Sequence, residues 1–254
     1  MDPPTYEDSY KDQPAEEEEQ PAPNEDEKWM DVTPLPIELP SGDIEHRSQL
    51  ISPGYKRCVI AGASKSGKTY RLRELLPMLA EFQTLTIYTK TAEQPVYQFL
   101  RDYYTGQDVD VNIITDRPPD IDELFTWQDA FKANEHNIII IDDLKSSEIN
   151  KNVLPFFSKC RHLHASVILI HQNYFSILKD IRDQVNLLML FKTTDGNAEL
   201  WRAVKGYFED HDEFAKTISH IYKKPFNFLL IDADAPPSMR VREGFSGIMA
   251  KYIP

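Results

Sequence analysis

The sequence predicts an α/β fold on a central, mostly parallel sheet flanked by helices, and three stretches carry that prediction. Val59–Ala61 is short, apolar and partly β-branched. It runs into Gly62-Ala63-Ser64-Lys65-Ser66-Gly67-Lys68-Thr69, which satisfies G-x4-G-K-[ST] at every fixed position. Asn137–Asp143 sets four consecutive isoleucines before two aspartates. Ala165–Ile170 is a further apolar run, closed by His171-Gln172-Asn173. Strands that are apolar along their whole length fit parallel sheets covered by helices on both faces.

The remaining elements follow in chain order. After the glycine loop, the spacing of Leu72, Leu75, Leu76 and Leu79 predicts a helix through Phe82, and Thr84–Thr89 reads as a strand. Ala92–Tyr104 is helical past Pro95, with Val96, Phe99, Leu100 and Tyr103 on one side, and Val109–Ile114 is another strand. Pro118-Pro119 opens a helix over Ile121–Ala133, whose Leu124, Phe125, Trp127 and Phe131 serve core or lid packing rather than base stacking. Leu144–Asn152 is polar, a loop or helix start, and Val153–Leu163 leads to the strand at Ala165. Leu187–Phe191 and Phe226–Ile231 are strands, with helical stretches at Ala198–Gly206 and Glu209–Tyr222 between them. The chain then turns over Asp232–Pro237 and ends in Met239–Arg242 and Phe245–Ile253.

Composition divides the chain in two. Residues 1–50 hold eight prolines, 15 acids and 3 bases, a net charge of −12, so residues 51–254 carry only −1 of the total of −13. The acidity therefore belongs to one segment and does not exclude a nucleic-acid partner. Residues 1–50 read as an acidic, largely disordered tail, too poor in apolar residues to offset chain entropy, and residues 51–254 as one globular domain. Trp29-Met30 and Leu35–Leu39 could dock as an arm or remain a solvated linker. Pro3-Pro4-Thr5-Tyr6 matches PPxY, a ligand of WW domains. No apolar run approaches the ~18 residues of a membrane span, and no signal segment is seen, so an intracellular soluble protein is expected. Cys58 and Cys160 are too few for a disulfide framework, and His162, His164 and His171 lack the Cys/His spacing of a zinc site.

The motifs name a chemistry. In a strand–glycine loop–helix unit, backbone N–H groups of Gly62 through Thr69 wrap phosphates, Lys68 reaches the β- and γ-phosphate oxygens, and the Thr69 hydroxyl ligates Mg²⁺. Asp142, ending a buried strand, is placed to hold the Mg²⁺ shell, and Asp143 to orient or deprotonate an attacking water. Gln172, just past the next strand, can contact both γ-phosphate and water. A strand at 84–89 between loop and aspartates, with the Gln strand after them, is the order of additional-strand (ASCE/RecA-like) P-loop NTPases. Guanine specificity would need N-K-x-D after a late strand, and the sequence has none.

GASKSGKT, IIIIDDL, CRHLHASVILIHQNYF and FLLIDADAPPSMRVREGF resemble the FtsK–HerA superfamily. Within it they are most similar to the viral genome-packaging ATPases of the poxvirus, virophage and polinton-like branch. The resemblance covers roughly Tyr55–Phe245, and the paired aspartates are shared with that branch. It implies a homo-oligomeric ring, hexameric in the family pattern, that hydrolyses ATP with Mg²⁺ between subunits and drives double-stranded DNA into a capsid. It further implies a capsid or portal-vertex partner, at the site of virion assembly in the host cell or on the virion. Arg161 matches the family's Arg-His position and Arg182 follows the Gln segment; either could be the cation entering a neighbour's site, or a surface ion pair. Roles of Arg240 and Arg242 toward DNA, phosphate or a neighbour stay open, and Lys90 and Lys145–Lys151 are candidates for DNA phosphate contact. The competing readings are another P-loop enzyme (a helicase or nucleotide kinase) and a nucleotide-gated assembly or adaptor protein.

Overall fold

The computed structural model describes residues 29–31, 46–116, 118, 135–145, 152–193 and 196–249. The apolar runs form the sheet. Its strands are β1 (Trp29–Asp31), β2 (Arg57–Ala61), β3 (Thr84–Tyr88), β4 (Asp110–Ile114), β5 (Asn137–Ile141), β6 (Ala165–His171), β7 (Leu187–Phe191), β8 (Phe228–Asp232), β9 (Val241–Glu243) and β10 (Gly247–Met249). The order is β1-β10-β9-β8-β7-β2-β6-β5-β3-β4. From β7 through β4 all pairings are parallel, whereas β8, β9, β10 and β1 are added antiparallel. β2 sits between β6 and β7, with Ile60 opposite Ile170 and Met189.

Alternate residues of each buried strand face two separate cores, as a pleat requires. On one face Ile60, Ile140 and Ile168 meet α1 (Leu72–Leu75) and α2 (Pro95–Thr105) through Leu72, Leu75, Tyr97 and Leu100. On the other, Val59, Ile139 and Leu169 meet α3 (Leu154–Lys159), α4 (Lys179–Arg182), α5 (Asn197–Val204) and α6 (His211–Ile221). Asp210 caps α6, its carboxylate accepting the Glu213 N–H. Cys58 is a wholly buried core residue.

Several expectations are revised. The helix after the glycine loop is broken into a 3-10 turn (Thr69–Arg71), α1 and a second 3-10 turn (Leu76–Met78), and Leu79 is already extended. Pro77, which has no N–H to donate, lies in that closing turn. On α2 the buried stripe is Tyr97, Leu100 and Tyr104, while Phe99 and Tyr103 are 38% and 46% exposed and stack on each other. Leu100 belongs to both stripes, and Tyr97 is turned inward where its hydroxyl donates to the Asp142 carboxylate. The C-terminal segment is a β9–β10 hairpin rather than an irregular end, and Trp29–Asp31 pairs with its outer strand. Residues 121–133, Pro3–Tyr6 and 146–151 lie outside the described residues.

Arg242, whose role toward DNA, phosphate or a neighbour the sequence leaves open, is turned into the protein. It is completely buried, donating to Leu50 O, to Phe245 O (3.1 Å) and to Asp232 (3.4 Å). Lys56 and Ser52 complete this polar cluster, Lys56 Nζ donating to Ser52 Oγ (2.6 Å) and Ser52 N–H to Asp232 (2.9 Å). Burial with these partners makes Arg242 a brace between the start of the domain and its last strands.

Candidate functional site

The glycine loop leaves β2 at Ala61 and is stitched to both neighbouring strands. The Gly62 N–H donates to His171 O (3.2 Å) and the Ala63 N–H to Lys192 O (3.1 Å). A Cβ on Gly62 would lie 2.5 Å from Phe191 Cβ, so only glycine allows this approach. Lys65 and Gly67 have φ of +62° and +92°, which turns successive N–H groups toward one side. Among the described residues nothing accepts the N–H of Lys65, Gly67 or Lys68, and the buried Ser66 Oγ has no partner. Such a set of open donors fits a phosphate chain. Lys68, 8% exposed, donates to Gly62 O and Ala63 O, both at 2.6 Å. Burial draws its pKa below the ordinary lysine value, and the Asp142 carboxylate works against that shift.

Asp142 follows β5, its N–H held by Tyr88 O at 2.9 Å. Its carboxylate accepts from the Tyr97 hydroxyl, from the Asp143 N–H (2.8 Å) and from Thr69 Oγ1 (3.4 Å). Burial raises its pKa, while the Tyr97, Asp143 and Thr69 hydrogen bonds pull it down. Thr69 Oγ1 and Asp142 are hard oxygen donors side by side, the type of pair that fits Mg²⁺. Asp143 is exposed at φ +58° in the left-handed region, which aspartate tolerates better than most residues.

One cavity of about 710 Å³ is lined by Ser64–Tyr70, Gln94, Asp142–Lys145 and Ile170–Gln172. It lies at the C-terminal ends of β2, β5 and β6, where open parallel sheets bind ligands. The expected Ser64, Lys65, Ser66, Gly67, Lys68, Thr69, Asp142, Asp143 and Gln172 are all brought onto it, with Gly62 and Ala63 anchoring the loop behind. His171, also on its wall, is held by Asn173 and Ser176, and burial lowers its pKa, with Lys68 adding to the effect. Among the described residues no cluster of three His, Cys, Asp or Glu could hold a metal ion.

The two candidate arginines are elsewhere. Arg161 is exposed in the turn before β6, at the end of that strand away from Gln172, some ~20 Å along seven residues. Arg182 donates Nε to Ile177 O (3.1 Å) and stacks 4.8 Å from the Phe175 ring, beside a separate cavity that also holds Arg202. Arg240 Nε donates to Ala235 O at 2.8 Å. Lys145, a candidate for DNA contact, lines the nucleotide-sized cavity, and Lys90 is exposed just past β3. Sequence reasoning missed Tyr97 and Gln94. Neither stands in a motif, and only helix position brings them to the site.

β6 stands between the glycine-loop strand β2 and the acidic strand β5 and carries Gln172 just past its tip. That inserted strand defines the chain as an additional-strand P-loop NTPase. Residues 45–228 match the family model of the poxvirus A32 protein, and the chain belongs to that family. Its fold is similar to that of the genome-packaging NTPase B204 of Sulfolobus turreted icosahedral virus 2. In the AMP complex the TM-score is 0.52 at 21% identity, covering 75% of this chain and 96% of that one. In the AMPPCP complex the TM-score is 0.51 at 18% identity, covering 75% and 97%. B204 from Sulfolobus turreted icosahedral virus, described as a DNA-packaging ATPase, gives 0.50 at 19% identity over 74% and 95%. No curated protein matches the chain at a significant level. Among the described residues no helix is long and apolar enough to cross a membrane.

Proposed function

We propose that the chain is an ATP-hydrolysing motor that drives double-stranded viral DNA into a capsid, a reading supported by the fold it shares with B204, described as a DNA-packaging ATPase. The observation that carries this reading is the single cavity on which Ser64–Thr69, Asp142, Asp143 and Gln172 converge. In this reading the open loop N–H groups bind the phosphates of ATP, and Lys68 swings from the Gly62 and Ala63 carbonyls to the γ-phosphate. Thr69 Oγ1 and Asp142 are the groups that would hold Mg²⁺, which would supply positive charge to neutralise the phosphates. Asp143 accepts the proton of the attacking water, and Gln172 orients that water.

The cavity wall supplies Lys65, Lys68 and Lys145 but no arginine among the described residues. We therefore assign the cation that meets the charge developing on the γ-phosphate to a second copy, through Arg161 or Arg182. This requirement favours a ring of subunits, hexameric by resemblance, docked on a capsid or portal-vertex protein at the site of virion assembly. DNA would be held through its phosphates by Lys90 and the Lys145–Lys151 stretch, because a packaging motor must ignore sequence. Pro3-Pro4-Thr5-Tyr6 would recruit a WW-domain partner.

Phosphate release from ATP, measured with and without linear duplex DNA, tests the reading. The wild-type chain should turn over ATP faster with duplex, and Lys68→Ala should lose turnover. A rate indifferent to duplex, or an active Lys68→Ala protein, refutes it.

A further inference from the structure

A second cavity, of about 500 Å³, lies on the other side of the glycine loop and shares Ser64, Lys65 and Ser66 with the first. Lys192, Pro225 and Phe226 also line it. Asp142 and Gln172 stand on the β6/β5 flank of β2, so the reactive end of a bound triphosphate points there. The other end of the ligand must leave the loop on the opposite flank, toward β7 and β8. Lys192 follows β7 and Phe226 precedes β8, so the second cavity is on that flank.

Phe226 is unusual in three ways. It is 60% exposed, more than any other large apolar side chain among the described residues. Its φ is +60°, a left-handed conformation disfavoured for a bulky residue. With Pro225 before it, it holds the third position of a turn that ordinarily takes glycine or asparagine there. The conformation is held in place, since Phe226 O accepts from Arg71 Nη2 at 3.0 Å. The side chain stands against the loop itself: a Cβ on Gly67 would lie 3.3 Å from both Phe226 Cβ and Cδ1. A strained, exposed aromatic beside a ligand loop points to function, because neither strain nor exposure stabilises the fold.

We infer that Phe226 is a platform on which the base of the bound nucleotide stacks, and that the second cavity takes its nucleoside. The inference rests on the triphosphate reading of the first cavity. Stacking of a base on an aromatic ring is worth about a ten- to hundredfold change in affinity. Phosphate-only ligands would not sense it.

Calorimetric titration of the full chain with ATP, AMP and inorganic triphosphate separates the possibilities. Phe226→Gly suits the φ of +60° and removes only the ring, so it should fold at least as well as wild type. It should bind ATP and AMP about tenfold or more weakly while keeping its affinity for inorganic triphosphate. Phe226→Trp should retain ATP binding and show quenched indole fluorescence on adding AMP. Phe226→Gly with wild-type ATP affinity overturns the platform and leaves the triphosphate site standing. A wild-type chain that binds neither ATP nor inorganic triphosphate overturns both.

Discussion

Acidification from pH 7 to pH 5 should destabilise this fold through two buried histidines. His46 is 7% exposed, and its Nδ1 accepts the Ala80 N–H at 2.9 Å, so its single proton sits on Nε2 and is donated to Gly54 O at 3.0 Å. A second proton on Nδ1 would oppose donor to donor. His136, 6% exposed, lies 3.2 Å from Glu81 O and 3.0 Å from Ser166 Oγ. Burial, aided by the nearby Lys56 charge, pulls His46 down to about 3, and burial pulls His136 down to about 4, from 6.5. Below pH 6.5 the unfolded chain therefore binds protons that the folded chain refuses, and stability is lost as pH falls. The slope is about 1.4 kcal/mol per pH unit for each histidine, or about 2 kcal/mol each at pH 5. Against a total stability of about 5–15 kcal/mol, that pair is a large share. Urea unfolding followed by circular dichroism at pH 7, 6 and 5, for wild type and His46→Gln, measures it. Glutamine can accept and donate as neutral histidine does but cannot titrate, so the variant should lose one histidine's share of the slope. Asp142, whose raised pKa works in the opposite direction, is common to both proteins and cancels. Equal slopes in the two proteins, or a wild-type stability flat from pH 7 to 5, would refute the reasoning.

Other perturbations address the site and the brace. Tyr97→Phe deletes a hydroxyl that donates to the Asp142 carboxylate. ATP turnover should fall about tenfold, with a higher Mg²⁺ concentration at half-maximal rate and an unchanged circular dichroism spectrum. An unchanged Mg²⁺ dependence would show that Asp142 does not need this partner. Arg242→Ala breaks a buried charge cluster and should cost about 3 kcal/mol in denaturant unfolding, with a loss under 1 kcal/mol contradicting the brace. Arg161→Ala should be inactive by itself yet recover part of its turnover when mixed with Lys68→Ala subunits, whose own arginine is intact. Failure of that mixing experiment counts against action from a neighbour.

Legibility followed locality. The strands at β2, β5, β6 and β7 were readable because burial on both faces leaves an unbroken apolar run, which needs no knowledge of neighbours. β9 and β10 were not, since three-residue strands carry no periodicity and exist through pairing with β8 and each other. On α2 Leu100 is buried and Val96 packs against the core as the pattern predicts, but Tyr97 and Tyr104 take the inward places of Phe99 and Tyr103, because tyrosine and phenylalanine count alike in an apolar pattern. In sequence the roles of Arg242 toward DNA, phosphate or a neighbour stay open, since nothing local tells a buried arginine from an exposed one. Its burial beside Asp232 depends on how the chain's end meets Leu50.

By itself, the amino-acid order determined the glycine loop, the acidic pair, the inserted strand with its glutamine, and hence the class of chemistry. Each of these is a short stretch whose spacing is its own physical cause. Tertiary structure alone decided that the Tyr97 hydroxyl stands behind Asp142, and that Phe226 stands against the far side of the loop. Burying a polar group demands a partner, and which partner is within reach is set by the packing of distant segments in space rather than by any spacing along the chain.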